Sequence, residues 1–164
     1  MALYELSQQL GFLLQKQQLH CAVAESCTGG LLAATITDVP GSSQWFDRGF
    51  VTYTNDSKME LLAVPNAVIA EQGAVSEGTV RAMAEGVLKK SHAQVSAAIS
   101  GIAGPGGGSI DKPVGTVWVS WALGFEVTKA RSYLFDGSRQ SIREQAVRVA
   151  LEGLIELISA LDPA

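Results

Sequence analysis

Leu3, Leu6, Leu10, Leu13 and Leu14 recur at intervals that place them on one stripe, and this spacing predicts an amphipathic helix over residues 3–18. The apolar run Cys21-Ala22-Val23-Ala24 then predicts a short buried strand over 20–25, and Leu31-Leu32-Ala33-Ala34-Thr35-Ile36 carries a helix over about 29–38. Val39-Pro40-Gly41-Ser42-Ser43 has turn chemistry, and the aromatic and β-branched content of 45–54 predicts a second strand. Asn55-Asp56-Ser57 starts a short helix with Met59, Leu61 and Leu62 on its apolar face, ended by Val64-Pro65, and a further turn of helix spans 66–72. Ser76 caps a helix to about residue 91 through Val80, Met83, Ala84 and Val87, and the small residues of 95–100 predict a central strand covered on both faces. A glycine-rich loop occupies 101–113, followed by a hairpin of strands 114–121 and 127–135. The last helix begins at Ser138, with Ile142, Ala146, Val149, Leu154, Leu157 and Ile158 as its core stripe.

This order predicts an α/β fold, a three-layer α/β/α sandwich around a mixed, mostly parallel central sheet, with residues 1–164 forming a single domain. In such sheets ligands collect beyond the carboxyl ends of the strands, so any shared site should be built from residues 26–30, 54–58 and 101–113. Composition narrows the partners. A net charge of −4 argues against a sequence-independent nucleic-acid binder, and no apolar run is long enough to suggest a membrane span. Cys21 and Cys27 have neither a disulfide framework nor metal spacing, so a reducing cytoplasm is the expected setting.

The candidate chemistry gathers in Ala24-Glu25-Ser26-Cys27-Thr28-Gly29-Gly30, at a strand-to-helix junction. Such a corner can hold a nucleophile beside backbone donors for an oxyanion, although Ser26 and Thr28 equally suit helix capping. No glycine stands two positions before Ser26, so the corner is not a G-x-S-x-G elbow. Cys27 is an alternative nucleophile, but His20 and His92 fall at a strand start and a helix end without catalytic company. A serine without histidine needs another base, and Lys58 is the candidate. Its place in the first turn of a helix sets its charge against the macrodipole and lowers its pKa; the alternative is a solvated lysine. Tyr53 can orient a proton or be an ordinary strand aromatic. Gly104-Pro105-Gly106-Gly107-Gly108-Ser109 matches no phosphate-loop spacing and is either an anion nest or a plain loop. Arg139 and Arg143, one turn apart, can clamp a phosphate or lie exposed. Glu25, Asp47, Asp56 and Asp111 form no metal-ligand cluster, so neither a metal nor a cofactor is expected.

Taken together, the corner motif running into Leu31, Thr37-Asp38-Val39-Pro40-Gly41-Ser42-Ser43, Gly49-Phe50-Val51-Thr52-Tyr53-Thr54-Asn55, Lys58, Gly73-Ala74-Val75-Ser76-Glu77, Ser100-Gly101-Ile102-Ala103-Gly104-Pro105-Gly106-Gly107 and Lys112-Pro113-Val114-Gly115-Thr116-Val117 resemble the CinA C-terminal domain family over almost the whole chain. Stand-alone members of that family are nicotinamide-nucleotide amidases. The resemblance implies hydrolysis of nicotinamide mononucleotide to nicotinate mononucleotide and ammonia, with Ser26 as nucleophile, Lys58 as base and Tyr53 beside them. It also implies oxyanion and substrate contacts from Thr28, Gly29, Gly30, Ser100, Gly101, Gly104, Gly106, Gly107, Arg139 and Arg143, and it favours a homodimer. Ser100 stands where many relatives carry threonine, and Ser138 where an acidic residue is common. The pyrophosphatase-like domain of full-length CinA proteins is not in this sequence, so that second activity is not expected of it. The alternative from another class is a non-catalytic nucleotide-binding module of the same fold.

Overall fold

The structure, a computed structural model, describes residues 1–161. Its sheet has the order β2-β1-β3-β4-β5, with β1 at Cys21–Glu25, β2 at Phe46–Val51, β3 at Val95–Gly101, β4 at Thr116–Leu123 and β5 at Val127–Leu134. Parallel ladders join β1 to β2 and to β3, while β4 runs antiparallel to both β3 and β5. Four strands therefore point one way and only β4 opposes them, as the sequence predicts for a mixed, mostly parallel sheet. Around it lie α1 (Leu3–Gln17), α2 (Leu31–Thr37), α3 (Asn55–Leu62), α4 (Asn66–Gln72), α5 (Glu77–Lys89) and α6 (Arg139–Ser159).

The period-two alternation of the central strands sorts their side chains onto two faces. Cys21 and Val23 of β1, Val95, Ala97 and Ile99 of β3, and Val117, Val119 and Trp121 of β4 join one core with α1, α2 and α6. Ala22, Ala24, Ala98 and Ala122 face the other way and pack with α3, α4 and α5. That second face is built from small residues, and its hydroxyls bond the helix backbone: Ser96 Oγ donates to the Ala84 carbonyl at 2.7 Å and Ser120 Oγ to that of Val80. Helix α5 thus sits close to the sheet. Helix α3 approaches α5 just as closely, and a Cβ at Gly86 would overlap the Leu62 carbonyl oxygen. Gly86→Ala is therefore expected to destabilise the protein by about 1–3 kcal/mol, because overpacking against backbone outweighs alanine's helix propensity. A Tm at or above that of the parent protein would contradict this.

Element boundaries moved where a turn or a backbone bond intervened. The third strand of the order ends at Gly101, and the fourth begins at Thr116 rather than 114, because the Thr116 N–H first closes a turn onto the Pro113 carbonyl. Strand β2 stops at Val51; the Thr52 N–H still reaches the Glu25 carbonyl, after which the chain turns into the cap of α3. The 39–43 turn passes into a single 3₁₀ turn at Ser42–Gln44, and 66–72 is a helix in its own right.

Candidate active site

Register brings the carboxyl ends of the three parallel strands together. Glu25 of β1 pairs with Val51 of β2 and Ile99 of β3, and the Ser26 N–H continues the ladder to the Ile99 carbonyl at 3.0 Å. The loops that leave these ends meet around a cleft of about 260 Å³, the scale of a site for one small molecule. Its walls include Ser26, Cys27, Tyr53, Lys58, Ser100 and Arg139.

Lys58 enters from α3. Thr54 caps that helix by accepting from the Ser57 N–H, while Ser57 Oγ accepts from the Thr54 N–H, a reciprocal capping box. The first turn thereby folds Lys58 back over the loop that precedes it. Its side chain is 1% exposed, and Nζ lies 3.1 Å from Ser26 Oγ, donating also to the carbonyls of Thr52 at 2.9 Å and Tyr53 at 3.4 Å. No carboxylate is among these partners. Burial holds the Lys58 amine below the ordinary lysine value, with the neighbouring Cys27 pulling weakly the other way. Desolvation is the largest cause of the lowering. Ser26 is 8% exposed and also faces the Tyr53 carbonyl at 3.4 Å. Cys27, adjacent to it, is a poor rival: burial pushes its thiol up to about 11, so the thiolate is scarce at neutral pH.

The nucleophile turn is held from two sides. Glu25, 1% exposed, accepts the Leu32 N–H at 2.8 Å and the Ala33 N–H at 3.0 Å, so its carboxylate, not Ser26 or Thr28, caps α2. Gly30 supplies the reversal into the helix with φ +106°, a conformation that L side chains avoid. From α6, Arg143 Nε donates to the Cys27 carbonyl at 3.1 Å and Nη2 to the Thr28 carbonyl at 2.9 Å. The guanidinium of Arg143 is therefore committed to the backbone of the turn, and it does not line the cleft.

Arg139 does line it, donating to the Gly104 carbonyl at 2.7 Å and to the Tyr53 hydroxyl at 3.0 Å. Tyr53 is 56% exposed, so its ring stands at the mouth, and only its carbonyl touches the serine and lysine. Gly101, Gly104, Gly106 and Gly107 form one wall, with Ser100 Oγ tied to the Ala74 carbonyl at 2.8 Å. Thr28, Gly29 and Gly30 lie behind Ser26 rather than along the cleft, and the Thr28 hydroxyl is buried without a partner. The residue types alone did not single out Glu25 as a cap or Ala74 and Val75 as cleft wall. Their signal was the Gly73-Ala74-Val75-Ser76-Glu77 motif and the glutamate inside the corner motif. Among the described residues no cluster of His, Cys, Asp and Glu fit to hold a metal occurs, and no helix is long and apolar enough to cross a membrane.

Comparison with known proteins agrees with the sequence resemblance. A nicotinamide-nucleotide amidohydrolase PncC from Pseudomonas putida is 47% identical over 152 residues, covering 93% of this chain and 94% of that protein. A CinA-like protein from Akkermansia muciniphila is 52% identical over 143 residues, but there the chain spans only 34% of the relative's length. Among solved structures, the competence/damage inducible protein CihA from Agrobacterium tumefaciens superposes with a TM-score of 0.92 at 43% identity, covering 94% of each chain. The CinA C-terminal domain profile matches residues 3–158. By this match and these identities, the chain belongs to the CinA C-terminal domain family.

Proposed function

We propose that this chain is a nicotinamide-nucleotide amidohydrolase that converts nicotinamide mononucleotide and water to nicotinate mononucleotide and ammonia through a Ser26 acyl-enzyme. The observation that carries this reading is the buried Lys58 amine, 3.1 Å from Ser26 Oγ and lowered in pKa by desolvation. A neutral amine has two hydrogens, and the Thr52 and Tyr53 carbonyls are placed to accept them. Its lone pair is then left for the Ser26 hydroxyl proton. Ser26 attacks the carboxamide carbon, and backbone N–H groups of the turn receive the oxyanion. Lys58 returns the proton to the departing nitrogen, ammonia leaves, and a water activated by the same amine cleaves the acyl-enzyme. The relatives named as amidohydrolases, matched over nearly their full length, support the same reaction.

The substrate phosphate is assigned to Arg139 and the glycine wall. Two donors of Arg139 hold Gly104 and Tyr53, which leaves others of its five for an anion in the cleft. Arg139→Ala is expected to raise KM for the nucleotide about 10- to 100-fold with a much smaller change in kcat, read from initial rates; an unchanged KM would remove Arg139 from the phosphate site. In this reading the protein works in the cytoplasm, which suits the free, buried thiols of Cys21 and Cys27, and as a homodimer, as the family resemblance favours. The test of the function is ammonia release from nicotinamide mononucleotide. A chain whose Tm rises with the nucleotide yet releases no ammonia is instead the non-catalytic binding module.

A further inference from the structure

Two stretches of chain face each other across the cleft: Ala74 and Val75, just after α4, and the glycine loop that follows β3. Among the described residues, Ala74 and Val75 make no backbone–backbone hydrogen bond. Side chains hold the carbonyls of this wall instead. Gly73 accepts from Ser76 Oγ at 2.9 Å and Thr79 Oγ1 at 2.7 Å, and Ala74 accepts from Ser100 Oγ at 2.8 Å. The Gln72 carbonyl accepts from Lys112 Nζ at 2.7 Å. Gln72 ends α4, so its carbonyl lacks an intrahelical partner and the negative end of the helix dipole favours a cation there. Gly73 keeps the approach open, since a Cβ at this position would stand 3.3 Å from Lys112 Nζ.

The glycine loop is compact in itself. The Ser109 N–H donates to the Lys112 carbonyl at 2.9 Å, and Ser109 Oγ accepts from the Lys112 N–H at 3.1 Å. A Cβ at Gly104 or Gly108 would run into Val114, and Arg139 holds the near end at the Gly104 carbonyl. What remains to be fixed is where this unit stands relative to the wall opposite. Among the described residues, the Lys112–Gln72 bond is the hydrogen bond that crosses from the loop to residues 72–75.

We propose that Lys112 is a positioning residue that sets the width of the cleft by tying the glycine loop to the 72–75 wall, and that it governs nucleotide binding rather than acyl transfer. This rests on the reading of the cleft as the site of nicotinamide mononucleotide. Lys112 does not line the cleft; it acts through Gln72 on the two residues that follow Gly73 and do line it. Ser26 and Lys58 stand on other elements, the turn after β1 and helix α3, so the chemical step is independent of the tether.

The experiment compares the parent protein with Lys112→Met and Lys112→Arg. It measures kcat and KM for ammonia release from nicotinamide mononucleotide, inhibition by nicotinamide riboside as a competing ligand, and Tm. For Lys112→Met, KM is expected to rise about three- to tenfold, the scale of one half-exposed charge-assisted hydrogen bond, with kcat within about twofold. Inhibition by the riboside, which has no phosphate, should weaken by a similar factor, because the walls serve the whole ligand. Lys112→Arg keeps a cationic donor of sufficient reach, and a single carbonyl needs no planar fork, so its KM should return to within about twofold of the parent value. A raised KM with unchanged riboside inhibition would make Lys112 a phosphate ligand and overturn the proposal. So would a KM within about twofold of the parent in Lys112→Met, or a joint fall of kcat and Tm, the mark of a general structural role. If the parent protein releases no ammonia, the amidase reading fails separately. The tether is then judged by calorimetry from the Kd of the nucleotide, which Lys112→Met should raise by the same factor, and an unchanged Kd overturns it.

Discussion

Replacing Lys58 by methionine is expected to lower kcat for amide hydrolysis by about 10³-fold or more, with the protein still folded. Methionine retains most of the apolar stem that lies in the buried channel, so packing is largely kept. Two carbonyls lose a donor, which costs stability, but an amine held out of water is also removed. The two terms oppose each other, and the Tm should stay near that of the parent protein. The parent protein carries a further signature. Its folded-state lysine value lies below the ordinary 10.5, so the unfolded chain binds a proton that the folded chain has released. Stability conferred by this group therefore rises with pH between the lowered and the ordinary value, and Lys58→Met should lack that slope. Activity runs in the same sense, because only the unprotonated amine accepts the serine proton: kcat/KM should climb through the lowered pKa and level off below 10.5. A Lys58→Met protein that keeps a tenth of the parent's kcat would end the account of Lys58 as base.

Ser26→Ala is expected to reduce turnover by about 10⁴-fold or more, whereas Cys27→Ala should retain it within severalfold. The contrast follows from two neighbours in one turn. Ser26 Oγ faces the amine of Lys58, while Cys27 has a thiol pushed up to about 11 and contributes mainly to the core that α6 covers. Initial rates of ammonia release from both variants settle the matter, and the reverse order would make Cys27 the nucleophile.

The sheet was legible because its strands announce themselves by apolar alternation and small-residue runs, and because strand order at such a junction directs the loops to one end. Ser26 and Lys58 were legible as a pair only by elimination and by resemblance, since no pattern in a helix of eight residues reveals that its fourth side chain turns inward. Glu25 escaped notice for a definite reason. Capping signals are sought two or three positions before the donors they bind, whereas this carboxylate reaches N–H groups seven and eight residues later, across a turn reversed by Gly30. The grip of Arg143 on the turn was hidden in a different way. Two arginines a turn apart look equivalent in sequence, but one points into the cleft and the other grips main chain more than a hundred residues earlier. Contacts of that range are written in the tertiary structure and nowhere in the local pattern.

The tuning of the lysine has an evolutionary corollary. Two of its three neighbours are peptide oxygens, contributed by positions 52 and 53 whatever side chains stand there. The base is thus shielded from mutational drift at those positions so long as the bend of the chain persists, and the tyrosine ring at 53 is free to be selected for what happens at the entrance alone.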